Sequence, residues 1–400
     1  MIWDKPWIYG PFAWVFHQHV SLWGSILAQG VILSHLVWLL ARVLGGARPG
    51  RHLLLCAGLA LLTTAPWSAA LVMPDILTPI AVLCAALLDW AWANLSRAER
   101  AWLLVLGSIA TASHLSNLPV VFALAVLAGL LRVGVAGCLR VAAPLLGAVL
   151  LLLGSNVVGH GRLALSPHGS IFLLARLIAD GPAARTIAAE CPDAGWYLCA
   201  FAGALPSDSD IFLWSAESPV NRRPDGSDIF LGGMVLAPEA SAIIARTLRR
   251  EPLAVVAGGL GNALRQLGMV RIGDTLTPAF LNHTVRPRLV QAFPAWEVAS
   301  YDQGLQRAGL LPERAAPLIW PQPWLLLLAL PFLLLGWWQA HRAGDQRRLG
   351  LILCILVGVS GNALATGALS GAYDRYQARI AWLLPLGAVL LWRPPALKAG

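Results

Sequence analysis

The stretch PWLLLLALPFLLLGWWQAHR, residues 323–342, decides what kind of fold this chain can adopt. It carries no formal charge before Arg342, and it has the length of about 20 residues that a helix needs to cross a bilayer. Working outward from it, we find eight further apolar runs, several of them short enough to cross only inside a bundle. The nine predicted spans are 21–43, 52–65, 76–93, 101–114, 117–132, 137–157, 323–340, 349–369 and 379–393.

The composition of the whole chain is typical of a polytopic membrane protein. Of the 400 residues, 58% are hydrophobic and 12% are charged, with a mean hydropathy of +0.67. The charged fraction is about half of that in soluble globular domains. The net charge of +9 would also suit a nucleic-acid-binding protein. However, residues 158–320 hold 14 basic and 14 acidic side chains, so the excess lies in loops between apolar runs. This pattern indicates topogenic charge, and nucleic acid is not a predicted partner.

The basic residues also predict the orientation of the chain. If nine spans alternate, twelve Lys and Arg side chains fall on one side and three on the other, so the positive-inside rule makes the first side cytoplasmic. We expect residues 158–320 to be periplasmic, the carboxyl terminus to be cytoplasmic, and the protein to lie in a bacterial inner membrane. The twelve residues are Arg42, Arg48, Arg51, Arg97, Arg100, Arg132, Arg140, Arg342, Arg347, Arg348, Arg393 and Lys398.

Residues 158–320 carry too many charges, prolines and glycines to cross lipid. We predict that they form one extracytoplasmic domain of mixed α/β structure, inserted between the membrane regions 1–157 and 321–400. The fold class is therefore an all-α bundle of about nine spans with an inserted α/β domain.

Local patterns support that mixed structure. Helical spacing covers 170–190 and 238–251, whereas the segments GWYLCAF (195–201) and DIFLW (210–214) have the composition of short strands. Cys191 and Cys199 are the two cysteines of this region, and an oxidising compartment favours a disulfide between them. No cysteine or histidine spacing fits a structural zinc site, so no metal ligands are predicted.

Asp75, in the segment MPDILTP, is the most informative carboxylate. It lies at the predicted outward mouth of the third span, where a charge is costly unless it faces water or a partner. Intramembrane and mouth carboxylates are therefore candidates for function. Capping of the helix that follows is an alternative, and the two roles are compatible.

The segment SHLSNLP, residues 113–119, separates the fourth and fifth predicted spans. Pro119 interrupts a continuous helix, so we expect a tight hairpin; one long kinked helix is the alternative and would undo the charge argument. His114, Ser116 and Asn117 lie at this turn. Polar groups at membrane depth either line a cavity or satisfy one another, and both interpretations stay open.

A second polar cluster lies between the last two predicted spans. It comprises Asp374, Arg375, Tyr376, Gln377 and Arg379. Two arginines on the outward side oppose the positive-inside rule, so an anion should compensate them. Either Asp374 pairs with an arginine, or the guanidinium groups hold a phosphate or carboxylate ligand.

Four segments together resemble the integral-membrane glycosyltransferases of the GT-C fold, particularly bacterial relatives of protein mannosyltransferases and aminoarabinose transferases. WDKPWIYGPF (3–12) is similar to the end of their first outward loop, and MPDILTP (73–79) to the acidic position that opens their third span. SHLSNLP occupies the place of their Lys-Gly-Pro turn. DRYQARIAWLLPL (374–386) resembles the Arg-Tyr…Pro pattern before a late span.

The resemblance implies transfer of a sugar from a polyprenyl-phosphate donor to an extracytoplasmic acceptor. It makes Asp75 the catalytic carboxylate, and it makes the turn and the 374–379 cluster the substrate-binding residues, with Arg375 and Arg379 on the donor phosphate. A divalent metal would be compatible but is not required. The chain departs from the family in two respects. The family's turn lysine is replaced by the stretch from His114 to Asn117. No residue matches the family's first-loop aspartate, and we therefore expect that a helix upstream of this chain is missing.

A non-catalytic membrane protein is the alternative function. Its outward domain would bind a partner or an envelope polymer, and the missing first-loop aspartate would then need no truncation. A transporter is a weaker alternative, because no inverted repeat of broken helices is evident.

Overall fold

The computed structural model describes residues 3–131, 135–279 and 281–391, and this part of the chain is helical. Helix accounts for 74% of residues, and no strand occurs in the described ranges. The α-helices in chain order are α1 (Tyr9–His17), α2 (Trp23–Val43), α3 (Pro49–Leu62), α4 (Ala65–Ala69), α5 (Leu77–Trp90), α6 (Arg97–Ala112), α7 (Asn117–Leu131), α8 (Val135–His160), α9 (Ser170–Ala179), α10 (Pro182–Glu190), α11 (Ser209–Trp214), α12 (Gly232–Arg250), α13 (Pro252–Gly268), α14 (Arg286–Ala292), α15 (Ala295–Asp302), α16 (Leu311–Ile319), α17 (Gln322–Arg342), α18 (Gln346–Leu369), α19 (Asp374–Ala381) and α20 (Leu383–Leu391). Shorter 3-10 turns cover Pro74–Ile76, Trp92–Asn94, Tyr197–Phe201 and Asp274–Leu276, and a π-helical turn covers Leu281–Val285.

The helices group into two compact units. Unit 1 consists of Met1–Trp7, Leu152–Gly268 and Ala363–Tyr373. Unit 2 consists of Ile8–Leu151, Met269–Asn362 and Asp374–Gly400. Residues 269–320, which the sequence placed in the extracytoplasmic region, thus group with unit 2.

The core of unit 2 is built around α5. All fourteen of its residues are buried, because the sequence LTPIAVLCAALLDW is apolar on every side and such a helix is stable only inside other helices. Helix α6 packs against α5 and begins with a capping box, in which Ser96 accepts from the Glu99 N–H and Glu99 accepts from the Ser96 N–H.

The core of unit 1 comes from the apolar faces of its short helices. Ile171 and Leu174 of α9 pack with Ile243 of α12 and with Phe212 of α11. The predicted helix over 170–190 forms, but as α9 and α10. The break is at Gly181, whose φ of 101° is a conformation that glycine adopts without steric cost.

The predicted α/β character of residues 158–320 is wrong. GWYLCAF forms the 3-10 turn Tyr197–Phe201, and DIFLW lies within α11. In both segments the first backbone N–H groups donate hydrogen bonds to a carboxylate. Asp208 caps α11 by accepting from the N–H groups of residues 210 and 211, and Glu239 accepts from the N–H groups of Tyr197 and Leu198. Apolar runs of five to seven residues fit a buried helical turn as well as a strand, and these polar contacts select the turn.

The predicted number of nine spans is also wrong. Four helical segments are long and apolar enough to cross a membrane, which is consistent with an integral membrane protein: Trp23–Val43, Val135–His160, Leu311–Arg342 and Gln346–Leu369. The predicted spans 52–65, 76–93, 101–114 and 117–132 correspond to α3, α5, α6 and α7, of 14 to 16 residues. At 1.5 Å per residue such helices reach only about 21–24 Å, less than the roughly 30 Å of a hydrocarbon core.

The structure also bears on the predicted hairpin at 113–119 and on the last predicted span. At the 113–119 turn, α6 ends at Ala112 and α7 begins at Asn117, so the chain forms two helices rather than one kinked helix. The predicted span 379–393 corresponds to α19 and α20, which are separate short helices. Its last two residues lie outside the described chain, as do the topogenic residues Arg132, Arg393 and Lys398.

The structure joins Cys191 and Cys199 in a disulfide that closes the turn between α10 and the 3-10 turn at Tyr197. Replacing both cysteines with serine should lower the free energy of unfolding by about 2.5 kcal/mol, because a loop of this size then regains its entropy in the unfolded chain. Thermal unfolding of the detergent-purified protein measures this loss. The Cys138→Ser variant, which changes a free cysteine, is the control; equal melting temperatures for the two variants would contradict the prediction.

Candidate functional site

The candidate site begins at the amino-terminal end of the buried helix α5. Asp75 lies in the 3-10 turn Pro74–Ile76 directly before α5, and it is only 3% exposed. Its carboxylate makes no capping hydrogen bond to the helix that follows. The capping role that the sequence allowed is therefore not used, and the carboxylate contacts Arg379 of α19 instead.

Arg379 is the most enclosed charged side chain of the site, at 1% exposure. Its Nη1 lies 3.4 Å from Oδ1 of Asp75, and its Nη2 donates to Oγ of Ser116 and to Oδ1 of Asn362, both at 2.9 Å. Its Nε is buried and has no hydrogen-bond partner in the described chain. This arginine therefore links α19 to the 3-10 turn before α5, to the turn before α7 and to α18, and it keeps one donor unused.

The turn residues occupy different places around Arg379. His114 Nδ1 lies 2.7 Å from Ser116 Oγ, so the histidine orients the hydroxyl that Arg379 contacts. Asn117 lies further away: it donates to the Ala110 carbonyl and accepts from the Thr78 hydroxyl. Asn117 thus holds α5, α6 and α7 together, while His114 and Ser116 belong to the surroundings of the ion pair.

Arg375 is the second cation of the site, and it is less constrained. Its Nη2 donates to the Tyr376 hydroxyl at 3.2 Å. The Tyr376 ring interacts with both guanidinium groups, at 4.9 Å from Arg375 and 5.2 Å from Arg379. Within the described residues, no carboxylate oxygen lies within 4.0 Å of the Arg375 guanidinium. Arg375 thus forms no direct ion pair in the described chain, although the charges of Asp75 and Asp274 act on it.

Asp374 and Gln377 hold the backbone of α19 in place. Asp374 accepts from the Arg271 N–H at 3.0 Å and forms no ion pair with Arg375 or Arg379 in the described chain. Gln377 donates to the Val359 carbonyl and accepts from Asn362. The internal Asp374–arginine pair that the sequence allowed is therefore not what neutralises these arginines.

Asp274 also contacts the start of α19. It accepts from the N–H groups of Thr275 and Arg375, and burial raises its pKa above the ordinary value while the charge of Arg375 opposes that rise. Nothing in the sequence around Asp274 indicated this role. Asn362 was also missed, although a lone amide in the apolar segment of α18 is the kind of polar intrusion that marks a site in a membrane helix.

A small cavity with room for about one water molecule lies against this cluster within unit 2. Its ionisable lining side chains are Asp75, Arg375 and Arg379. The remaining lining residues are Trp67, Ser68, Leu71, Ile272 and Thr275. The structure thus brings Asp75 and two arginines of the 374–379 cluster to one cavity, although they are some 300 positions apart in the chain.

The donor set does not fit a divalent cation. Two guanidinium groups border the cavity beside one carboxylate, and that carboxylate already contacts Arg379. Hard divalent cations need several oxygen ligands and are repelled by such an arrangement. The described residues also contain no group of three or more His, Cys, Asp or Glu side chains placed to hold a metal.

Comparisons of this chain with protein-family models, with characterised proteins and with solved structures find no match. The class of the protein is therefore defined by its fold and by the geometry of the candidate site. It is a helical protein with segments able to span a membrane, and it contains a buried carboxylate–arginine pair beside a second arginine.

Proposed function

We propose that this protein is an integral-membrane glycosyltransferase that takes a sugar from a polyprenyl-phosphate donor and transfers it to an acceptor outside the cytoplasm. One observation carries the proposal: Asp75, Arg375 and Arg379 line the same cavity, and Arg375 forms no direct ion pair in the described chain, although the charges of Asp75 and Asp274 act on it. This arrangement supplies one carboxylate for proton transfer and one arginine for an anion.

The donor groups of the cavity suit an anionic ligand. Its lining side chains contribute two positive charges and one negative charge, and Asp274, which is not in the lining, is a second carboxylate whose charge acts on Arg375. Arg379 is compensated by Asp75, so an incoming phosphate would meet Arg375 and the unused Nε of Arg379. Guanidinium groups suit phosphate oxygens because they offer parallel donors in a fixed geometry.

The four long apolar segments support an outward location for the 374–379 cluster. Arginines lie near one end of each segment, at Arg42, Arg140, Arg342, Arg347 and Arg348, whereas Arg162 and Arg314 lie near the opposite ends of two of them. By the positive-inside rule the ends with more arginines are cytoplasmic. The opposite ends, including Leu369 just before the 374–379 cluster, then lie on the outer side, in the periplasm if the membrane is a bacterial inner membrane. Residues between His160 and Leu311 would be periplasmic as well. Asp75 lies between the cytoplasmic ends of Trp23–Val43 and Val135–His160, so its contact with Arg379 requires the short helices α3 to α7 to re-enter the membrane from the cytoplasmic side.

The proposed reaction uses the two kinds of side chain differently. The bond between the anomeric carbon of the sugar and the phosphate oxygen breaks, and its electron pair leaves with the phosphate. The acceptor hydroxyl oxygen bonds to the same carbon from the opposite face. Its proton passes to Oδ2 of Asp75, which accepts no hydrogen bond in the described chain. Arg375 stabilises the charge of the departing polyprenyl phosphate.

Binding of undecaprenyl phosphate to the purified protein tests the proposal. Arg375→Gln should weaken binding about 10- to 100-fold, because one charged hydrogen-bonding group contributes about 1.5–3 kcal/mol. Arg375→Lys should retain part of the affinity, since it keeps the charge but not the parallel donors. Native mass spectrometry across a lipid titration gives the dissociation constants.

The control is Arg342→Gln, which removes an exposed arginine that stacks on Trp338 at the predicted cytoplasmic end of α17. Its affinity for undecaprenyl phosphate should equal that of the unmodified protein. Equal binding by Arg375→Gln and the unmodified protein would reject the cavity as the phosphate site.

A further inference from the structure

Helix α13 of unit 1 has an exposed face that is unusual for a helix in water. Its sequence, PLAVVAGGLGNALRQLG, contains one charge in 17 residues, at Arg265. Large apolar side chains recur at intervals of three and four residues and are 40–83% exposed. They are Leu253, Val256, Leu260, Leu264 and Leu267, here called the α13 stripe. On a helix of 3.6 residues per turn, these positions form one continuous row.

The other side of α13 packs on the end of a segment able to span the membrane. The backbone of Asn262 approaches Gly367 of α18 so closely that a Cβ there would lie 2.8 Å from it. One turn away, Gly259 faces Ala368. Small residues allow this close approach of two helices. Gly367 and Ala368 belong to the last turn of Gln346–Leu369, so α13 packs at the level where that segment would leave a bilayer if it crosses one.

The neighbouring helix α12 has a different exposed surface. It exposes Arg246, Arg249, Arg250 and Ala245, together with the apolar side chains of Val235 and Leu248. The α13 stripe has no such charges. The difference indicates that the two helices face different solvents, although they are consecutive in the chain and belong to the same unit.

We propose that α13 is an interfacial membrane helix, with the α13 stripe in contact with lipid acyl chains. At about 25 Å it is too short to cross a bilayer. A helix with one apolar face lies along the membrane surface with that face at the headgroup–acyl boundary. Arg265 is exposed beside the stripe, and its guanidinium donates to Oδ1 of Asn262 one turn earlier on the same helix. This inference does not depend on the proposed transferase activity.

Photocrosslinking to lipid tests this location directly. Benzoylphenylalanine replaces Leu260, or in a second variant Leu253, and each protein is placed in nanodiscs of phosphatidylethanolamine and phosphatidylglycerol. Both positions are exposed, and the new side chain is apolar, so folding should tolerate the change. After irradiation, intact-protein mass spectrometry should find lipid adducts at both positions in at least tenfold higher yield than at the control.

The control places the same group at Ala245, an exposed position of α12. Lipid adduct yields at Leu260 and Leu253 no higher than at Ala245 would overturn the proposal. It would also be overturned by adducts of twice the protein mass in place of lipid adducts, because the stripe would then be covered by a second copy of the chain.

Discussion

Replacing Asp75 with leucine while keeping Arg379 should lower the free energy of unfolding by about 3–5 kcal/mol. Arg379 is 1% exposed and Asp75 is its only carboxylate partner in the described chain. Removing the carboxylate leaves a guanidinium charge in a poorly solvated site. The remaining contacts, to Ser116 and Asn362, are to neutral oxygens and cannot balance that charge.

The double variant Asp75→Leu with Arg379→Met separates the charge effect from packing. When both ions of a buried pair are replaced by apolar groups of similar size, stability is often retained, so the double variant should recover most of the loss. The exposed pair of Arg222 and Glu217 provides the comparison, since Glu217→Gln should cost less than about 1 kcal/mol. Urea unfolding in detergent measures all three variants. A double variant no more stable than Asp75→Leu would contradict the account.

Arg375→Gln should reduce sugar transfer about 100- to 1000-fold, as expected when one preorganised donor to a developing anion is removed. In the described chain the Arg375 side chain donates a hydrogen bond only to the Tyr376 hydroxyl, so the substitution breaks no direct ion pair there and should leave the melting temperature almost unchanged. Loss of activity without loss of stability is the signature of a residue that acts on the substrate.

The assay follows release of undecaprenyl phosphate from undecaprenyl-phosphate-linked pentoses and hexoses in proteoliposomes supplied with envelope extract as acceptor. Arg342→Gln, remote from the cavity in sequence and at the opposite end of the proposed topology, should retain full activity. Transfer by Arg375→Gln at the unmodified rate would refute the role of Arg375. Binding of undecaprenyl phosphate without transfer by any of these proteins would favour the non-catalytic alternative.

The sequence predicted the membrane class better than it predicted the fold. Long apolar runs identify α2, α8, α17 and α18, because length and hydropathy together measure the requirement of the bilayer itself. Runs near 15 residues are ambiguous, since burial by other helices and burial in lipid select the same side chains. Helix α5 is the clearest case: its residues were assigned to a span, yet all of them are covered by protein.

Three ionisable residues of the candidate site were predictable from the sequence, but their contacts and the involvement of Asp274 and Asn362 were not. Charges in apolar surroundings drew attention to Asp75, Arg375 and Arg379. Spacing could not reveal that Asp75 faces Arg379 rather than the helix it precedes, nor that Asp374 accepts from the backbone at Arg271. Those choices depend on contacts between segments 100 to 300 positions apart, for which a single sequence has no local signal.

The most direct test is a structure of the protein in nanodiscs with undecaprenyl phosphate bound. We expect phosphate density in the cavity lined by Asp75, Arg375 and Arg379, with phosphate oxygens about 3 Å from the Arg375 guanidinium. Asp75 should remain in contact with Arg379. Phosphate density at any other surface, with this cavity filled by protein side chains alone, would contradict the central claim.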